Sequence, residues 1–236
     1  MTLSEEERSR YARHLSMPTF GESGQLKLKQ GSVLIIGAGG LGSPIALYLA
    51  AAGVGRIGIA DGDEVDLSNL QRQVIHSCAD VGRPKVESAC EKMLKLNPNI
   101  TVEPIKSFLD EDALSELVKQ YDFVIDATDS LDIKYMVDDV CTASGKPYSH
   151  GAIWQYEGQT MTVLPGTATF RTLFPDGPAA VERGVVAGPL GVVPGILGTI
   201  QAAEAVKYLA GVGELLTDRL LRFDIRTMEF AMISLA

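Results

Sequence analysis

Between Ser32 and Ile153 the chain alternates short apolar runs with longer stretches of helical spacing. The runs VLIIG, RIGIAD, ITVEPI, FVIDAT and KPYSHGAI are rich in β-branched residues and bounded by turn residues, a pattern that predicts buried strands. Ser43-Pro44 offers an N-cap and first-turn pair to the helix PIALYLAAAG, with Gly53 placed to end it. Pro84 opens KVESACEKMLKLN, where Val86, Cys90, Met93 and Leu96 fall on one face. EDALSELVKQY and LDIKYMVDDVCTASG follow, the second stopped at Gly145. Repeated strand–helix units predict an α/β fold with a Rossmann-like, doubly wound and mainly parallel sheet.

The two ends read differently. Residues 1–30 predict one or two polar helices joined through PTFGESG. Beyond residue 154 come a hairpin-like strand, QTMTVLPG, and a Gly/Pro-rich run from Gly184 to Ile200. That run is broken too often for a membrane-spanning helix and reads as a buried loop leading into the helix ILGTIQAAEAVKYLAG. LLRFDI and MEFAMISL predict two antiparallel strands that extend the sheet. No linker or internal repeat divides the chain, so residues 1–236 are expected to form one domain. Its parts are the N-terminal helices (1–30), a nucleotide-binding part (31–153) and a C-terminal part that completes the sheet (154–236).

Composition narrows the function. Hydrophobic residues make up 46% and charged residues 22%, which is ordinary globular usage. A formal net charge of −9 argues against a nucleic-acid binder, whose footprint is a basic face. Cys78, Cys90 and Cys141 are widely spaced and form no CxxC pair, so neither a disulfide framework nor a cysteine-rich metal site is expected. With no apolar core in the first residues to make a signal peptide, a cytoplasmic protein free of membrane contact is expected.

The segment GAGGLG matches G-x-G-x-x-G at Gly37, Gly39 and Gly42. It follows a strand and precedes a helix, and Asp61 ends the next strand about twenty residues on, as the nucleotide fingerprint requires. Its glycines let backbone N–H groups approach a phosphate, and Asp61 can accept from a ribose hydroxyl. The motif alone does not choose between NAD and ATP. No second glycine fingerprint or hydride-transfer dyad follows, and the Walker pattern is absent.

VDLSNLQRQVIH, beginning at Val65 a few residues after Asp61, carries Asn69, Gln71, Arg72 and Gln73 within five positions. Arg72 offers a planar fork to phosphate oxygens, and Lys85 adds a point charge at a helix start. Asp129 stands at the carboxyl end of a strand, where open α/β sheets hold ligands, and its carboxylate suits Mg²⁺. Asn69 and Gln73 can bond ribose or phosphates and hold the loop in shape. Taken singly, Arg72 is equally a surface ion pair, Lys85 a solvated helix-start lysine and Asp129 a helix N-cap. Together they describe a polyphosphate site suited to nucleotidyl transfer. Asp126 is less favoured for metal, because strand alternation turns it elsewhere.

Read together, RYARHL, the glycine loop with SNLQRQVIH, GRPKVES, DATD and GILGTIQAAEAVK closely resemble the ThiF/MoeB/HesA family, bacterial relatives of ubiquitin-activating enzymes. The resemblance covers nearly the whole chain. It implies that ATP, with Mg²⁺ on Asp129, adenylates the C-terminal glycine carboxylate of a ubiquitin-like sulfur-carrier protein with a Gly-Gly tail. Pyrophosphate leaves, and a sulfur donor later attacks the acyl-adenylate on the way to molybdopterin or thiamine. The resemblance places Gly37, Gly39, Gly40, Gly42, Asp61, Asp63, Ser68, Asn69, Arg72, Gln73, Lys85, Asp129 and Ser130 on the nucleotide. It also makes Arg13, otherwise a surface helix arginine, an active-site residue supplied by the other subunit of a homodimer.

Departures from the family pattern sharpen these expectations. Many relatives hold a structural zinc with two CxxC pairs. Here Thr169 and Thr172 stand where the first pair would fall and no second pair appears, so no zinc is expected. The loop before GILGTIQ has no cysteine, and Cys90 and Cys141 read as small core residues, so a covalent thiol link to the carrier is not expected. Ser130 replaces the usual asparagine and Lys134 a common arginine. Arg171 either meets the carrier tail or pairs with an acid. His14, His76 and His150 lack metal-ligand spacing, and His76 is expected to brace the loop. The alternatives are adenylation of another peptide or amino-acid carboxylate, a nucleotide-binding scaffold without turnover and, last, an NAD-dependent dehydrogenase.

Overall fold

The computed structural model describes residues 2–176 and 188–235. The start of the Gly/Pro-rich run and the cysteine-free loop before it therefore fall largely outside the described residues. An eight-stranded sheet organises the fold, in the order β3-β2-β1-β4-β5-β6-β7-β8. The strands are β1 (Ser32–Ile36), β2 (Arg56–Ala60), β3 (Thr101–Ile105), β4 (Phe123–Asp126), β5 (Tyr148–Trp154), β6 (Glu157–Val163), β7 (Arg219–Asp224) and β8 (Glu229–Ser234). The first five run parallel, whereas β6, β7 and β8 add antiparallel. This is the mainly parallel sheet with an antiparallel extension that the apolar pattern predicts.

Alternation along β1 explains why it is buried throughout. Val33 and Ile35 join Ile57, Ile59, Phe123 and Ile125 in a core covered by α3 (Gly21–Gln30), α4 (Gly42–Ala52), α5 (Lys85–Leu96) and α9 (Val192–Ala210). Leu34 and Ile36 face the other way, towards α6 (Glu111–Val118) and α7 (Leu131–Ala143). Each such side chain removed from water contributes roughly 1.5–3 kcal/mol, so the central strand is held from both faces. Ile36 pairs with Ala60 on one side and with Asp126 on the other. The carboxyl ends of β1, β2 and β4 therefore meet at the point where the winding reverses, where such sheets bind ligands.

Three local expectations are corrected. Ser43 is not an N-cap: the chain enters α4 through Leu41, already in a helical conformation, and the Ser43 hydroxyl turns back to donate to Gly39 O at 2.8 Å. PTFGESG is not all connection, because α3 begins at Gly21 and takes in the GESG portion after α1 (Glu5–Arg10) and α2 (Ala12–Leu15). Leu96 does not share the buried face of α5. The helix ends there and leaves Leu96 41% exposed, while Val86 and Met93 are fully buried.

Candidate functional site

The glycine loop Gly37–Gly42 leaves β1 and starts α4. Gly37 has φ of +104°, and a methyl group there would sit 2.7 Å from Ala127 O, so β4's following loop packs directly on it. At Gly42 a methyl group would sit 2.0 Å from Gly37 O, which closes the turn to any larger residue. The peptide of Ala38 is held at both ends: its N–H donates to Asp61 Oδ2 at 2.8 Å, and its carbonyl lies 3.2 Å from His76 Nε2. His76 also meets Ser88 Oγ through Nδ1 at 2.9 Å. Burial pushes the His76 pKa below its ordinary value, although the hydrogen bond to Ala38 works against this. His76 is therefore the brace that the sequence suggests. The next backbone N–H groups, of Gly39, Gly40 and Leu41, donate to no protein acceptor among the described residues. Free amides at a helix N-terminus are an anion-binding arrangement.

The polar stretch after Asp61 wraps this loop. Asp61 accepts from Asp63 N as well as from Ala38 N, so its carboxylate joins β2's end to the glycine turn. Asp66 and Asn69 cap the short helical turn Leu67–Asn69 reciprocally, and Asn69 O receives the N–H of both Arg72 and Gln73. Asn69 thus shapes the loop. Arg72 lies over the glycines: its Cδ would be 3.5 Å from a methyl on Gly40, and Nη1 donates to Ser68 O at 3.2 Å. Gln73 is 3% exposed beneath Gly39, and its amide oxygen has no hydrogen-bond partner among the described residues. Lys85 docks on Asp63 twice, by its backbone N–H to Asp63 O and by Nζ to Asp63 Oδ2 at 2.8 Å. The side chain of Lys85 is nearly buried while that of Asp63 is half exposed, so this ion pair opens towards solvent.

Asp129 is exposed in the loop between β4 and α7 and makes no hydrogen bond or ion pair among the described residues. It is not the helix N-cap; Ser130 is, accepting from Ile133 N. An unengaged carboxylate supplies the hard oxygen that Mg²⁺ takes, so the residues present fit that ion. The glycine loop, Asp61, Asp63, Ser68, Asn69, Arg72, Gln73, Lys85 and the 127–130 segment thus gather at the carboxyl ends of the strands. Arg13 does not join them. It is exposed on α2, two residues after Tyr11, whose hydroxyl lies against Gly53 at the far end of α4. A helix of that length spans about 16 Å, so Arg13 sits towards the opposite edge of its own chain.

A buried group beneath Asp129 escaped the sequence pattern. Asp126 is 1% exposed; its Oδ1 accepts from Thr128 N and Oγ1, and its Oδ2 meets Lys134 Nζ at 3.0 Å and His150 Nδ1 at 3.2 Å. Lys134 Nζ also donates to Thr128 O and Gly151 O, and Gln201 Nε2 donates to Asp126 O. Burial alone would raise the Asp126 pKa, but the charge of Lys134 and the bonds from His150 and Thr128 outweigh it and hold the carboxyl well below the usual range. The available signals were a histidine inside the strand KPYSHGAI and a glutamine inside an apolar helix.

Arg171 and the two threonines find partners. Arg171 pairs with Asp139 through Nε and Nη2, the acid-paired alternative of the two expected. Thr169 and Thr172 form a reciprocal cap on the short helix α8 (Phe170–Leu173). Cys141 is fully buried, and burial drives its thiol pKa well above the ordinary value; Cys78 is exposed and Cys90 half-buried. No helix among the described residues is long and apolar enough to cross a membrane.

A family model described as the ThiF family matches residues 11–236. The chain is 48% identical over 229 residues to "Adenylyltransferase and sulfurtransferase MOCS3-1" of Zea mays, covering 96% of this chain and 49% of that protein. It is 40% identical to "Sulfur carrier protein adenylyltransferase" of Thermus thermophilus, covering 99% of this chain and 89% of the relative. Among solved structures, selenomethionine PaaA superposes with a TM-score of 0.84 at 27% identity, over 99% of this chain and 75% of PaaA. The chain thus spans about half the length of the Zea mays protein and most of the Thermus protein.

Proposed function

Since the chain belongs to the ThiF family, we propose that residues 1–236 form a single adenylyltransferase domain. Its substrates are ATP and the C-terminal glycine carboxylate of a ubiquitin-like sulfur-carrier protein, which serves molybdopterin or thiamine assembly. The observation that carries this reading is the meeting of unbonded glycine-loop amides, Arg72, the Lys85–Asp63 pair and the unengaged Asp129 at one end of the sheet. That set has donors for a polyphosphate and a carboxylate for its metal, and no acid–base dyad.

The chemistry asks little else. The attacking carboxylate is ionised at neutral pH and needs no general base. It forms a bond to the α-phosphorus while the bond from that phosphorus to the bridging oxygen of pyrophosphate breaks. The amides of Gly39 and Gly40 and the guanidinium of Arg72 stabilise negative charge on the phosphates, and Lys85, aimed by Asp63, adds a further cation. Asp61 accepts from the ribose, and the unpartnered Gln73 amide oxygen accepts from a second ligand donor. Mg²⁺, when bound on Asp129, supplies further charge neutralisation. Arg13 reaches this site from a second copy of the chain, because its own lies too far away.

ATP–pyrophosphate exchange with Mg²⁺, with and without a carrier ending in Gly-Gly, tests the proposal. Carrier-dependent exchange abolished by Asp129→Ala and Arg72→Ala supports it. ATP binding without exchange on any carrier refutes it and returns the choice to another carboxylate substrate or a silent scaffold.

A further inference from the structure

The phenylalanines of this chain are mostly inside: Phe20, Phe123, Phe170 and Phe223 are all buried. Phe108 is 76% exposed, more than any other exposed large apolar side chain among the described residues. It lies in the loop between β3 and α6, and its neighbour Leu109, partly buried, packs against the core under α6 and α7. The loop is closed by Ser107 N donating to Ile105 O and by the Ser107 hydroxyl donating to Phe108 O. The inward packing of Leu109 and this tight turn leave the Phe108 ring outside. The ring is nevertheless placed: a methyl group on Gly62 would come within 2.5 Å of it, so one edge rests on the Gly62 backbone. Gly62 directly follows Asp61, whose N–H is tied to Ile105 O at 3.1 Å.

The position relative to the glycine loop gives this ring a task. Ile36, Ala60 and Ile105 lie in one row across β1, β2 and β3. Adjacent strands are about 4.8 Å apart, so the loop bearing Phe108 stands about two strand spacings, roughly 10 Å, from the phosphate-binding turn. The Asp61 carboxylate lies between the two. A phosphate on the glycine loop and a ribose on Asp61 leave the base of the nucleotide over β3, beside Phe108.

We propose that Phe108 is the base-stacking residue of this site, its exposed ring lying against one face of the ATP purine while the Gly62 backbone supports its edge. The proposal rests on the nucleotide reading given above, but not on what carboxylate is activated. Stacking on an aromatic ring is worth about a factor of ten or more in affinity when the ring is removed. It acts on the base alone, so inorganic tripolyphosphate, which shares the phosphates and lacks ribose and base, is the control.

Dissociation constants of Mg·ATP and Mg·tripolyphosphate are measured by calorimetry for the wild type, Phe108→Ala and Phe108→Trp. The expected result is that Phe108→Ala weakens ATP about tenfold and leaves tripolyphosphate unchanged. Phe108→Trp keeps ATP affinity, and its new indole emission is altered by ATP and not by tripolyphosphate. An ATP constant in Phe108→Ala within about twofold of the wild type, or an equal loss of both ligands, overturns the proposal. Wild-type exchange activity is read separately: ATP binding without exchange refutes adenylyl transfer and leaves the Phe108 result standing.

Discussion

Lys134→Met removes the lysine cation paired with Asp126 and keeps most of the side-chain volume. In the wild type Lys134 Nζ serves Asp126 Oδ2, Thr128 O and Gly151 O while only 6% exposed, and its partner Asp126 is 1% exposed. Breaking a buried pair from one side costs about 3–5 kcal/mol because the surviving charge is uncompensated. That is a large part of the roughly 5–15 kcal/mol that domains of this kind possess, and at this length it lowers Tm by about 10 °C. In the double variant Lys134→Met/Asp126→Asn no charge is stranded, so it is expected to lose less than Lys134→Met alone. Urea titration of both variants at pH 7.5 measures this. The effect also depends on pH. In the wild type the depressed Asp126 pKa contributes stability above the unfolded value near 3.9, which is lost as pH falls through the folded value. In Lys134→Met the lone carboxyl takes up a proton at higher pH, so the gap between variant and wild type narrows on acidification. A loss below about 1 kcal/mol, or a double variant worse than the single, would refute the claim that this pair compensates a buried charge.

Other consequences are equally testable. Gly42→Ala places a methyl group 2.0 Å from Gly37 O and must distort the turn, so ATP affinity falls at least about tenfold by calorimetry while the far-ultraviolet dichroism is kept. His76 and His150, whose pKa values burial depresses, contribute stability that is full above the unfolded value near 6.5 and is lost as pH falls below it. Each adds a slope of at most about 1.4 kcal/mol per pH unit between pH 7 and 5, and His76→Gln flattens the profile in denaturant titrations. If the proposed dimer shares its sites, Arg13→Ala and Arg72→Ala subunits, each inactive in exchange assays, recover about a quarter of wild-type activity after mixing and reassociation, because half of the dimers would then carry one intact site. No recovery would place Arg13 outside the site.

Legibility in the sequence followed the range of the interaction. Gly37–Gly42, Asp61 and the loop-shaping Asn69 are local features legible from residue types and spacing, whereas the reciprocal cap between Asp66 and Asn69 emerges only in the structure. Ser43 departs from the expected N-cap because the same serine suits either a cap or a first turn bonding back to Gly39; the tightness of the Gly37–Gly42 turn decides between them. Leu96 matched the helical period of α5, yet the helix ends there and exposes it. Asp126, Lys134, His150 and Gln201 were opaque for a different reason. They meet only once β4, β5, α7 and α9 pack together, and nothing in the local pattern of FVIDAT says that an aspartate there will be compensated by a lysine on the following helix.

The two-ended hold on Ala38 shapes how the glycine loop greets a ligand. A loop of this composition, free in solution, would surrender about 1–2 kcal/mol of backbone entropy per residue on being ordered. Asp61 and His76 have already imposed that order during folding. Ligand capture at this turn then carries little of the ordering cost that coupled folding and binding would add. In hydrogen-exchange terms the Ala38 amide is protected before any ligand arrives. The amides of Gly39 and Gly40, presented as finished donors, are the ones whose exchange slows when an anion docks.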